Sequence, residues 1–135
     1  MPLVEEIDSS WEHAAFEAGA SFGGAPWLRV QHGWRGTRYP EPRITEVAEI
    51  DADAYRSAAG AAVGAIVGGV LTGGIGLLAG AAIGGRRKRE ASFFVHLDDG
   101  NHLAFTTRHA ATIRAWRQRA MADESKRRSR DLAEK

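Results

Sequence analysis

His96 and His102 bracket the adjacent carboxylates Asp98 and Asp99 in one short stretch. Imidazole pairs bind metals, and neighbouring carboxylates can share acid–base work. The spacing argues against both. A two-residue Asp99-Gly100 turn pairs Leu97 with His102 and His96 with Leu103, so the two imidazoles point to opposite faces of a hairpin. Adjacent aspartates ahead of a glycine are turn formers. His13, His32 and His109 fall in three separate elements, and no Ser or Thr stands with a His and an acid at a recognisable catalytic spacing. The glycines raise nucleotide binding, but Gly-x-x-x-x-Gly-Lys-Ser/Thr is absent. Gly74-Ile75-Gly76-Leu77-Leu78-Ala79 meets only the looser dinucleotide fingerprint, with no convincing strand before it. Without cysteine there is no disulfide frame and no thiolate chemistry. No catalytic, cofactor-binding or metal-ligating residue is assigned, and the chain reads as non-enzymatic.

The strongest signal is physical. Ser57 to Gly85 is an uncharged run of 29 residues, 10 of them glycine, ending at Arg86-Arg87-Lys88-Arg89. Such runs suit hydrocarbon, which tolerates no unpaired charge. The run repeats: Gly60-Ala61-Ala62-Val63-Gly64-Ala65-Ile66-Val67-Gly68-Gly69 matches Gly76-Leu77-Leu78-Ala79-Gly80-Ala81-Ala82-Ile83-Gly84-Gly85 at an offset of 16. Residues four apart share a helix face, so Gly60, Gly64 and Gly68, and again Gly76, Gly80 and Gly84, cut a groove that a second helix can enter closely. Each interior glycine costs a helix roughly 1 kcal/mol against alanine, so the groove needs a partner. One continuous helix would be about 43 Å long and could span a bilayer. A hairpin broken at Thr72-Gly73-Gly74 gives two helices of roughly 12–14 residues, each about 20 Å and too short to cross fully. The repeat and the central Gly-Gly favour the hairpin. Arg86, Arg87, Lys88 and Arg89 are placed to meet anionic headgroups, or simply to end the apolar run.

The elements around this segment are small. At 135 residues the chain is about one domain, and Lys+Arg 18 against Asp+Glu 17 sets up no global field for nucleic acid or acidic partners. Residues 1–42 are read as an N-terminal helix and strands. The capping-box spacing Ser9-x-x-Glu12 predicts a helix from about Ser10 to Ala18 with Trp11, Ala14, Ala15 and Ala18 on one face. A loop through Gly19, Gly23, Gly24 and Pro26 precedes a strand at Trp27–His32, and Gly33 and Gly36 mark a turn before Thr37-Arg38-Tyr39. Residues 43–56 and 86–122 form a small α+β module. Its pieces are a β-branched strand at 43–50, a hairpin of Ala91–Leu97 with His102–Thr106, and a helix from about Arg108 to Ala122. Thr106 or Thr107 caps that helix, and Ala110, Ile113, Trp116 and Ala120 turn inward. Strands 43–50 and 91–106 are expected in one sheet, which a returning hairpin permits. Residues 123–135 are a charged tail. Arg114, Arg117, Arg119, Lys126, Arg127, Arg128 and Arg130 are interleaved with Asp123, Glu124, Asp131 and Glu134, so a solvated helix face is favoured over nucleic-acid contact.

"Ile-Thr-Glu-Val", "Leu-Thr-Gly-Gly-Ile-Gly-Leu-Leu-Ala-Gly", the basic cluster and "Phe-Phe-Val-His-Leu-Asp-Asp-Gly" with its closing helix, over roughly residues 43–120, resemble small bacterial proteins common in actinobacteria. In these a compact β domain of pleckstrin-homology type is interrupted by a glycine-zipper hairpin. The resemblance implies an architecture and no activity. The expected fold is α+β, a small antiparallel sheet with a C-terminal helix and an inserted apolar glycine-zipper hairpin. The expected function is membrane insertion, self-association or both, with the main domain cytoplasmic. The expected partners are a second copy of the chain and membrane lipid. A soluble component of a large, phage-like assembly and a pore-forming, holin-like membrane protein are the alternatives. Met1 to Glu6 lacks the basic start and apolar stretch of a secretory signal, so membrane entry would fall to 57–85.

Overall fold

The computed structural model describes residues 4–52 and 90–133. Seven strands and one long helix fill these ranges: β1 (Glu5–Ser9), β2 (Ala14–Ala20), β3 (Pro26–His32), β4 (Arg35–Tyr39), β5 (Ile44–Ile50), β6 (Ala91–Leu97), β7 (His102–Thr107) and α1 (Ala110–Ala133). A 3₁₀ turn, Glu41–Arg43, joins β4 to β5. The strands form two antiparallel sheets, β2-β3-β4 and β1-β7-β6-β5. The α+β class and the small antiparallel sheet with a C-terminal helix are as expected; the inserted hairpin falls outside the described residues.

Alternation builds both sheets. In β3, Leu28 and Val30 are buried while Arg29 between them is exposed. In β6, Phe93, Val95 and Leu97 enter the core cluster with Leu103 and Phe105 of β7 and Val47 of β5. Phe94 on the opposite face of β6 is also fully buried, beside Ala48, Ile50 and Ala104. A strand buried on both faces reads as the near-continuous run Ala-Ser-Phe-Phe-Val.

Helix α1 closes the core. Trp116 is fully buried, edge-on to Phe105 at 5.1 Å and tilted against Phe93 at 6.2 Å, with its indole N–H donating to Gly19 O at 3.1 Å. Each such aromatic pair adds about 0.5–1.5 kcal/mol beyond area burial. Gly19 itself accepts an indole: a Cβ there would stand 2.6 Å from Cζ2 of Trp27.

Several expectations are corrected. The predicted helix over 10–18 is instead a corner at 10–13 and most of β2. Inward Phe16 and Ala18 lie two apart and pair with Val30 and Leu28, and this sheet burial outweighs the helical spacing of small alanines. His13, at φ 55, turns the chain from one sheet into the other. The cap of α1 is neither threonine. His109 Nδ1 accepts the Thr112 N–H at 3.3 Å, while Thr107 belongs to β7. Ala110 is exposed; Thr112 and Asp123 face inward with Trp116 and Ala120. The charged residues 123–133 continue the helix.

Candidate functional site

Gly60, Gly64, Gly68, Gly76, Gly80 and Gly84, with Arg86, Arg87, Lys88 and Arg89, all lie outside the described residues. What the structure fixes is where their segment leaves and rejoins the domain. β5 and β6 are hydrogen-bonded neighbours, with Ile50 opposite Ser92. The sheet expected to join 43–50 and 91–106 therefore exists, and the two ends of the intervening chain start from adjacent strands.

The histidine pair is the clearest correction at the level of sites. His96 lies directly opposite His102, not Leu103, so both imidazoles share one face of the sheet. The cause is one extra loop residue. Gly100, at φ 88, donates its N–H to Leu97 O, and the Leu97 N–H bonds Asn101 O. That is a type I turn closed by a glycine bulge, so Leu97 pairs with Asn101 and every later pairing moves by one. The resulting row runs across three strands as Glu46, His96 and His102, and Asp8 of β1, opposite Ala104, reaches His102 diagonally. Nδ1 of His96 is buried without a hydrogen-bond partner among the described residues, and the His102 ring stacks on Phe94 at 5.7 Å. Side chains on strands about 4.8 Å apart stand parallel and do not converge. No group of three or more His, Asp or Glu among the described residues is arranged to hold a metal ion.

The end of this row brings together a serine, a histidine and an acid that the sequence spacing concealed. His102 Nε2 lies 3.2 Å from Asp8 Oδ2 and its Nδ1 lies 3.0 Å from Ser10 Oγ. Acid, imidazole and hydroxyl in that order can activate a nucleophile. Here they clamp strands. Ser10 Oγ accepts the backbone N–H of His102 at 2.7 Å. The N–H groups of Ser10 and Trp11, the natural candidates to steady an oxyanion, are already bonded to His102 O and Ser9 Oγ. Ser10 and His102 are 92 residues apart, and no local pattern could have announced them.

A second cluster holds the β6–β7 turn. Tyr39 Oη donates to Asp99 at 2.6 Å, and Arg43 grips Asp98 at 3.2 Å while its guanidinium lies 4.5 Å from the centre of the Tyr39 ring. Burial, then the Asp99 hydrogen bond and charge, push the Tyr39 phenol up to about 12. Burial opposes the charge of Asp99, yet hydrogen bonds from Tyr39 and Asn101 and the charge of Arg43 hold its carboxyl below the usual carboxylate range. Asp98 and Asp99 do serve the turn, and they also tie it to β4 and the 3₁₀ turn.

Along the edge of β5, Asp123 Oδ2 accepts the Val47 N–H at 2.8 Å, and Arg119 donates to Ile44 O at 2.7 Å while pairing with Asp123 at 3.0 Å. This pair covers backbone groups that an edge strand would otherwise present for pairing. Among the described residues, no helix is long and apolar enough to cross a membrane. No family model matches the chain, and no curated protein or solved structure is detectably similar to it.

Proposed function

We propose that this protein is a non-catalytic scaffold that uses residues 57–85 as a returning glycine-zipper hairpin for membrane insertion, self-association or both. The α+β domain is the module held beside that hairpin, on the cytoplasmic side where a membrane is entered. The observation that carries the reading is the pairing of β5 with β6. Paired strands lie about 4.8 Å apart, so the segment must return to its starting point. A single span would separate its flanks by a hydrocarbon layer about 30 Å thick and break the sheet. Two short helices meeting at Thr72-Gly73-Gly74 keep the sheet intact and face their glycine grooves to one another or to a second copy. Arg86, Arg87, Lys88 and Arg89 end one residue before β6, where they would meet anionic headgroups beside the domain. Two meanders closed by a C-terminal helix support the pleckstrin-homology-type comparison at the level of architecture only.

A second reading, a soluble assembly in which the hairpin packs on protein, draws on one observation. Ala48, Ile50, Phe94 and Ala104 are buried on the sheet face turned away from the core cluster. That face lies beside the points of exit and return, so an apolar segment resting on protein suits it as well as one in lipid.

The test is Gly64→Leu or Gly80→Leu in the full chain, read by retention in carbonate-washed membranes and by size in solution. The reading expects one of the two properties to fall severalfold. Gly100→Ala, which strains only the β6–β7 turn, should spare both. Wild-type behaviour of both leucine variants in both assays would remove the zipper.

A further inference from the structure

Four of the eight arginines with described side chains already have a carboxylate. Arg43 pairs with Asp98, Arg108 with Glu90, Arg117 with Glu49 and Arg119 with Asp123. Arg29, Arg35, Arg38 and, on α1, Arg114 are exposed and pair with none of the described residues. The first three lie on the β3–β4 hairpin. Its residues 26–39 hold three arginines, one histidine and two tryptophans, and no Asp or Glu.

The placement within the hairpin is specific. β3 and β4 meet through Gly33 and Trp34, with Gly33 at φ 62 in the position that a type II′ turn reserves for glycine. Trp34 thus stands at the tip and is wholly exposed, at 102%. Arg35 follows it directly. Arg29 and Arg38 oppose one another in register on the outer face, and like charges so placed repel. Glu17 on β2 completes that row without bonding to either arginine, and Trp27 and Gly36 complete the hollow around them. An indole at a projecting tip, followed by Arg35 on one face of the hairpin and backed by Arg29 and Arg38 on the other, has the chemistry of an interfacial anchor: the ring settles at headgroup depth and the guanidiniums take phosphate oxygens.

We propose that the β3–β4 hairpin is a docking surface for an anionic phospholipid bilayer, with Trp34 entering the interface and Arg29, Arg35 and Arg38 binding headgroup phosphates. This does not require residues 57–85 to enter the bilayer. Tip placement favours a planar surface over a nucleic-acid strand, because a surface meets Trp34 and Arg35 together, whereas a strand is bound along a platform of successive aromatics.

The test is co-sedimentation of the full chain with phosphatidylcholine vesicles, with and without phosphatidylglycerol. Wild type should prefer the anionic vesicles and lose that preference in high salt. The triple variant Arg29→Gln, Arg35→Gln and Arg38→Gln should lower affinity for them on the order of 100-fold, since each surface charge contributes about fivefold. Trp34→Phe should remove most of the tryptophan quenching by brominated phosphatidylglycerol. Arg108→Gln, outside the hairpin, should change neither readout. Equal binding to both vesicle types, no binding at all, or a triple variant that binds the anionic vesicles as tightly as wild type would overturn the proposal. So would a single-stranded oligonucleotide that binds more tightly and displaces the vesicles. A Gly64→Leu chain that no longer inserts or oligomerises should still prefer phosphatidylglycerol, so the two proposals fail separately.

Discussion

Arg119 on α1 and Arg38 on β4 carry the same group into opposite circumstances. Arg119 is largely enclosed, holds Asp123 through Nε and donates to Ile44 O, so its charge is spent inside the protein. Arg38 is exposed, faces Arg29 across the hairpin and has no carboxylate among the described residues. The first arrangement seals a sheet edge. The second raises the electrostatic energy of the folded state slightly and leaves donors for something outside the chain. Charge count alone, +1 overall, hides this division. Pairing reveals it.

The largest expected effect comes from breaking the enclosed set. Asp123→Ala strands the Arg119 charge and the Val47 N–H together, and should cost about 3 kcal/mol in urea unfolding. A loss below about 1 kcal/mol would mean that α1 is held by Trp116 packing alone.

Tyr39→Phe tests the intermediate case, the half-enclosed cluster with Asp99 and Arg43. It should cost about 1 kcal/mol at neutral pH. The pH dependence follows from the shifts. The Tyr39 phenol is raised from 10.0 to about 12, so its contribution is complete below pH 10 and disappears as pH rises through about 12. Asp99 is lowered from 3.8, so its contribution is present above that value and is lost as pH falls through the depressed one. Alkaline unfolding monitored by circular dichroism should lose its component between pH 10 and 12 in the variant.

Smallest of all, Arg38→Gln should shift stability by no more than about 0.5 kcal/mol, in the stabilising direction, because it relieves the repulsion with Arg29. A clear destabilisation would place Arg38 with the structural arginines and blur the contrast.

How much of this was legible depended on the range of the interaction. Asp-Gly between two apolar runs identified β6 and β7, and β-branched residues identified β5. The register of the hairpin was not legible, because one bulge residue separates His96 opposite Leu103 from His96 opposite His102. β1 and β2 were missed for a different reason. Trp11, Ala14, Ala15 and Ala18 fit a helix locally, and only the distant partners Leu28 and Val30 make Ala18 and Phe16 inward strand positions. The clusters of Asp8 with His102, Tyr39 with Asp99 and Asp123 with Val47 join residues 60 to 94 positions apart, beyond any spacing rule. The unpaired hairpin arginines had a readable trace, a stretch from 26 to 39 free of acidic residues. That Glu17, in register beside Arg29, bonds to neither Arg29 nor Arg38 was visible only in three dimensions.

The central claim is that residues 57–85 leave the sheet and return to it on one side. The chain has no cysteine, so Ser57→Cys and Lys88→Cys, made singly in the full protein, report each flank without background. Sealed membrane vesicles carrying either variant, treated with an impermeant maleimide, should show both flanks labelled or both protected, and never one of each. Opposite labelling of the two positions would mean a single span and would contradict the account.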